Sequence, residues 1–196
     1  MRSSHLLVAA VWCVGAALAQ QHTGRFAALV SKGLELIDAG RFVDALNVLE
    51  EVWEQDQSDP AVAENLAIAH LYGGRDARKA EQLMEAAIAA GGRASFLMQH
   101  AHERLTLVSM DTSNFCSGRL SISRDRMTFT AANPAHSFSI QTGQLKEIKK
   151  NKWFGSSEGV YHIRTSDKKT YNLRPRTWSE RETSLVMQMI EKYIKR

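Results

Sequence analysis

The spacing of apolar residues changes once along this chain, and that change limits the folds open to it. From Arg25 to Ala90 apolar positions recur every three to four residues. Phe26, Leu29, Val30, Leu34 and Ile37 form one stripe. Phe42, Ala45, Leu46, Leu49, Val52 and Trp53 form a second, Leu66, Ala67, Ala69 and Leu71 a third, and Ala80, Leu83, Met84, Ala87 and Ile88 a fourth. After Asn114 the spacing drops to two, as in Cys116, Gly118, Leu120 and Ile122 alternating with Ser117, Arg119, Ser121 and Ser123. A period near 3.6 puts apolar side chains on one face of a helix, and a period of two puts them on one face of a strand. The chain is therefore expected to be α+β in two domains.

Charge divides at the same place. Residues 21–93 hold 7 Lys+Arg and 12 Asp+Glu; residues 94–196 hold 17 and 9. Two regions of opposite charge and different period predict a boundary near Gly91-Gly92, with domains over 25–92 and 94–196.

The helical region repeats itself. Gly33 and Ala67, and Gly40 and Gly74, are 34 apart, while Ala45 and Ala80, and Leu49 and Met84, are 35 apart. Asp59-Pro60 restarts the chain as an N-cap followed by a first-turn proline. A period of about 34 with two helices per unit, carried by "GLELIDAGRFVDALNVLEEV" and "NLAIAHLYGGRDARKAEQLMEAA", resembles the tetratricopeptide repeat family over residues 27–90. The resemblance implies all-α helix pairs and a peptide-binding groove along the first helix of each unit. Projected onto this chain, the groove presents Val30, Leu34, Ile37, Asp38, Glu64, Ile68, Leu71 and Tyr72. The early aromatic of the family is missing, and so are the lysines that clamp a terminal carboxylate, at Val30 and Leu34. Two units are few for a stable stack, so something must cover their open end.

The second region reads as short alternating runs separated by turns, an antiparallel meander. It closes with a helix: Ser179 and Glu182 form a capping-box pattern ahead of Val186, Met189, Ile190, Tyr193 and Ile194. Six strands over 115–174 and a final helix resemble, in order and length, the pleckstrin-homology-like fold. The resemblance implies a partly open antiparallel barrel with a C-terminal helix, and one more strand before Phe115. "ASFLMQHAHERL", residues 94–105, is the candidate, although its Ala94, Leu97, Met98, Ala101 and Leu105 also fit a helix. A strand within 95–109 is predicted. Lipid binders of that fold carry basic residues in the first turn, here near "MDTSN", which has none.

Chemistry signatures are sparse. His100 and His102 would share a strand face, and His136 and His162 could add to them, but zinc needs three or four converging ligands. No nucleophile elbow, H-E-x-x-H or phosphate-binding glycine loop occurs. No enzymatic activity, cofactor or small-molecule substrate is expected. A basic set, Lys146, Lys149, Lys150, Lys152, Lys168 and Lys169, suggests an anionic surface or acidic partner. No stacking aromatic runs through it, so nucleic acid is not expected. Near the start, "LLVAAVWCVGAALA" (residues 6–19) is shorter than the roughly 20 residues of a membrane span and ends in Ala17-Leu18-Ala19. It is expected to be a signal peptide over 1–19, cleaved near Ala19, which sends the protein to the periplasm or the exterior. The leading expectation is an exported scaffold that binds a protein or peptide in the repeat groove. The alternatives are an envelope module that binds anionic surfaces through its basic strands, and a metal-dependent enzyme using the histidines.

Overall fold

The computed structural model describes residues 25–101, 115–152, 159–177 and 179–195, with backbone alone at 151, 152, 159 and 160. The signal segment, His102, "RLTLVSM" and "MDTSN" lie outside these residues. No helix among the described residues is long and apolar enough to cross a membrane.

Four helices come first: α1 (25–38), α2 (Phe42–Gln55), α3 (Pro60–Ala69) and α4 (Ala77–Ala89). α1 and α2 form an antiparallel hairpin, since Arg25 at the start of one pairs with Glu51 near the end of the other at 2.7 Å. The close approach depends on Gly33. A Cβ there would sit 2.5 Å from Leu49 Cδ2, inside van der Waals contact. Ala45, Ala67 and Ala80 are fully buried at the other small positions of the repeat, and Leu49 and Met84 fill the space between helices. Asp59 caps α3, its carboxylate accepting from the Ala61 and Val62 amides. α3 runs on into a π turn, His70–Gly74, and Asp76 caps α4 by accepting from the Lys79 amide.

α4 stops where Gly91 adopts φ +87°, a conformation costly for any residue with a Cβ. The Gly91 and Gly92 amides then return to the Ile88 and Ala87 carbonyls. The chain leaves as β1 (Ala94–Ala101), the strand expected within 95–109 after the glycine stop; residues 102–109 of that range lie outside the described residues. The helical stripe of this segment loses because β1 pairs on both sides: all eight residues with β2, and Met98 to Ala101 with β7. Two ladders satisfy its backbone while Ala94, Phe96 and Met98 enter the core.

The remaining strands are β2 (Phe115–Ile122), β3 (Arg126–Ala131), β4 (Phe138–Gln141), β5 (Leu145–Lys152), β6 (Gly159–Thr165) and β7 (Thr170–Pro175). They form one antiparallel sheet in the order β4-β3-β2-β1-β7-β6-β5. No β4–β5 pairing occurs among the described residues, so the sheet stays open at that seam. Helix α5 (Glu180–Tyr193) follows. Its Leu185, Val186, Met189 and Ile190 join Phe96, Leu120, Phe129, Tyr161 and Ile163 in the core, and the Tyr161 hydroxyl donates to the Thr183 carbonyl at 3.0 Å. Seven antiparallel strands and a closing helix are the elements expected of a pleckstrin-homology-like domain.

The two regions are not separately cored. One buried cluster runs from Leu49, Leu66 and Met84 of the helices to Phe96, Leu120 and Val186 of the sheet and α5. The cap that two helical hairpins lack is supplied by β1 and α5. The charge division is partly spent on this contact: Arg119 lies 3.6 Å from Asp38 and 4.0 Å from Glu64, and Lys192 pairs with Glu85.

Candidate interaction cleft between helices and sheet

Helix α3 lies on the outer face of β1. Glu64, 4% exposed, takes Arg93 Nε at 3.0 Å on both carboxylate oxygens and the Ser95 hydroxyl at 2.5 Å. One turn beyond α3, the Tyr72 hydroxyl accepts from the Leu97 amide at 2.8 Å and donates to Glu182 Oε1 at 2.6 Å. Glu182 also receives the Thr177 amide (3.2 Å) and hydroxyl. Burial raises the Glu182 carboxyl above its ordinary value, against those hydrogen bonds. Burial also raises the Tyr72 phenol well above its own, and the neighbouring Glu182 adds to the shift.

These contacts revise the projected groove. Ile37, Glu64, Ile68 and Leu71 are buried, and the α3 half of the set faces the chain's own sheet rather than solvent. The physical reason is the open apolar end of two helical hairpins, which β1 covers. Tyr72 is half-buried and bonded to Leu97 and Glu182. Val30 and Leu34 are half-buried and Asp38 is exposed, so what stays open belongs to α1.

There the helices and sheet enclose a cleft of about 360 Å³. Ile37 and Asp38 line one wall; Leu97, Gln99, Ser117 and Arg119 line the other, with Arg176 at the rim. Across α3, a second cavity of about 530 Å³ lies over Ser121, Ser123, Thr128 and Thr130, between Arg93 and Arg126. The outer side of β2 therefore runs as a polar strip beneath both openings. Arg119 stands between them, held by Asp38 and Glu64.

The capping-box pattern at α5 is half realised. The Ser179 hydroxyl accepts from the Glu182 amide at 3.2 Å. The Glu182 side chain turns to Tyr72 and Thr177, and Thr177 Oγ1 takes the Ser179 amide in its place.

The basic set lies along β5 and in the turn between β6 and β7. Lys149 and Lys150 alternate on β5, opposite His162 and Tyr161. Lys149 pairs with Glu147 at 2.6 Å and Lys169 with Asp167 at 3.0 Å; the Thr165 hydroxyl first, and Lys169 next, lower the Asp167 carboxyl to about 2. Lys146 and Lys168 are exposed; the Lys152 side chain lies outside the described residues. Lysines on a strand at the end of a sheet discourage edge-to-edge association.

The histidines are dispersed. His100 packs among the rings of Phe129, Phe138 and Tyr171, 4.0 Å from Cys116 Sγ. His162 Nδ1 meets Asn172 Oδ1 at 3.0 Å, and His136 sits in a 3-10 turn after β3. Among the described residues no three His, Cys, Asp or Glu side chains cluster as metal ligands would. Burial raises the Cys116 thiol, which disfavours its reactive thiolate.

Comparison with known proteins gives low-identity likenesses over about half of the chain. No family model matches the chain, and no curated protein does. Among solved structures, the C-terminal domain of an unknown protein from Leishmania infantum is 21% identical with a TM-score of 0.37, over 52% of this chain and 87% of that one. The PH domain of human oxysterol binding protein-related protein 11 is 9% identical with a TM-score of 0.36, over 54% and 85%. Inner membrane complex sub-compartment protein 3 from Toxoplasma gondii is 12% identical with a TM-score of 0.37, over 52% and 74%. The fold description rests on the strand order and register given above.

Sequence reasoning missed Arg93, Ser95, Arg119 and Arg176 as residues of the junction. Their signal was faint: a polar residue at alternate strand positions reads as solvent-facing unless a helix is known to cover it.

Proposed function

We propose that this protein is an exported, non-catalytic interaction module that binds a peptide or protein partner in the cleft between α1 and the outer face of β1 and β2. Its helical hairpins are read as tetratricopeptide-like units, with part of their groove filled by the sheet and the α1 part left for a partner. The supporting observation is the mixed lining, apolar at the half-buried Leu97 and polar at Asp38, Gln99, Ser117 and Arg119. An extended segment can set apolar side chains against Leu97 while its backbone meets the polar residues.

The test is a peptide-display selection on the full chain, followed by anisotropy titration of the selected peptide. Asp38→Lys, on the exposed wall, and Gln99→Arg, on the half-buried wall opposite, should each weaken it at least about tenfold, the loss of one well-placed polar contact. Unchanged affinity in both variants would remove the cleft as the binding site.

A further inference from the structure

The largest cavity among those described lies away from the cleft. Where α4 and α5 begin side by side, a groove of about 670 Å³ is lined by Arg75, Arg78 and Arg181 together with Asp76, Glu81 and Glu180. A smaller cavity of about 440 Å³ shares Arg75 and Arg181 and reaches inward to Tyr72 and Glu182.

The formal charges of the lining balance, three arginines against three carboxylates, but the hydrogen-bonding capacity does not. Asp76 is committed to the Lys79 amide, and Glu81 accepts from the Gln188 side chain. Glu182 is taken by Tyr72 and Thr177. Of the lining carboxylates, Glu180 alone has no partner among the described residues. None of the three guanidinium groups, all exposed, has an ion pair or hydrogen bond among the described residues either. The arginines of the helix–sheet cleft differ, since Arg93 and Arg119 are both engaged by Glu64. A guanidinium carries five N–H donors in a planar fork that fits two oxygens at once.

The backbone at Arg75 is unusual as well. It holds φ +53°, in the left-handed region, where side chains other than glycine are uncommon. The Asp76 amide bonds the His70 carbonyl at 3.0 Å and closes the π turn around it. The position of Arg75 at the groove is thus set by the fold and not left to a free loop.

We propose that the groove between α4 and α5 binds a compact oxyanion, a phosphate or carboxylate group, through Arg75, Arg78 and Arg181. A volume in the few-hundred-Å³ range accommodates such a group with part of its parent molecule. The balanced charge of the lining makes geometry, more than long-range attraction, the basis of selection.

The test titrates the full chain with inorganic pyrophosphate, and separately with citrate, by calorimetry in low-salt buffer. Saturable binding of either is expected, and which one binds identifies the oxyanion. The double variant Arg75→Gln/Arg181→Gln should bind at least about tenfold more weakly, as loss of charge-assisted hydrogen bonds implies. The double variant Lys146→Gln/Lys168→Gln, on the sheet, should bind as the parent does; circular dichroism checks that both are folded. Absence of saturable binding to both probes overturns the proposal. So does equal affinity in the arginine variant, or an equal loss in both variants. Sedimentation with phosphatidylserine vesicles in the absence of pyrophosphate or citrate binding also overturns it, in favour of a diffuse surface effect.

Discussion

Replacing Tyr72 with phenylalanine should uncouple the helices from the sheet without emptying the core. The ring stays, and so does its contact with Phe42 at a centroid distance of 5.4 Å. What is lost is one hydroxyl that serves two partners, the Leu97 amide at 2.8 Å and Glu182 Oε1 at 2.6 Å. Each buried group left without a partner costs about 1–3 kcal/mol, and more for a charged one. Glu182 keeps Thr177, and the adjoining cavity can admit water to its carboxylate, which reduces its share. The Leu97 amide has no ladder partner to replace it, since the pairing of β1 with β7 begins at Met98. A loss of about 2–4 kcal/mol follows. For a chain of this size each kcal/mol shifts the melting temperature by about 2–4 °C, so a drop of about 5–15 °C is expected. Thermal unfolding followed by circular dichroism measures it, and amide exchange at Leu97 localises it. A double-mutant cycle with Glu182→Gln should show a coupling of at least about 0.5 kcal/mol. Melting within about 1 °C of the parent, with Leu97 protection unchanged, would refute the account of Tyr72 as the junction's hydrogen-bonding hub.

Two further outcomes follow from the same structure. Gly33→Leu should cost about 1–3 kcal/mol or more, because even its Cβ would sit 2.5 Å from Leu49 Cδ2; chemical denaturation with an unchanged midpoint would show that the α1–α2 approach is not tight. Stability should also fall in acid through His70. Burial lowers its pKa from the usual 6.5, against the opposing pull of Glu50 and Asp76 and with Lys79 adding to the fall. The unfolded chain therefore takes the proton first, and stability is lost as the pH drops through about 6.5 toward the folded value. Glu50 Oε1, at 3.5 Å from Nε2, is too poorly placed to make a hydrogen bond that would offset this. His70→Gln should flatten that part of the stability–pH curve; an unaltered slope would assign the acid loss to other groups.

The two routes into the C-terminal region show where sequence reading succeeds and where it stops. The strand at 94–101 was legible because Gly91-Gly92 end the preceding helix, the charge reverses there and the sheet otherwise lacked its first strand. Local helical spacing alone would have misassigned it; the ladders to β2 and β7 decide it. The groove was half legible. The stripe of α3 correctly marks an apolar face, but a stripe does not say what covers it. Glu64 illustrates the point: a carboxylate on a predicted binding face reads as partner-directed, yet Ser95 and Arg93 hold it inside the chain. Counting the lysines likewise left out their acidic partners, Glu147 beside Lys149 and Asp167 beside Lys169.

The sequence by itself determined the elements. Apolar period, caps and glycine stops act over a few residues, and they place four helices, the strands and the final helix. It also determined that the two regions differ in charge. Only the tertiary structure decided that the regions share one core, that β1 occupies the face the helices would otherwise expose, and that Glu182 serves Tyr72 and not its own helix cap. Those outcomes depend on groups 25 to 110 residues apart competing for the same buried surface and the same hydrogen-bond donors. Local pattern carries no record of which distant competitor wins.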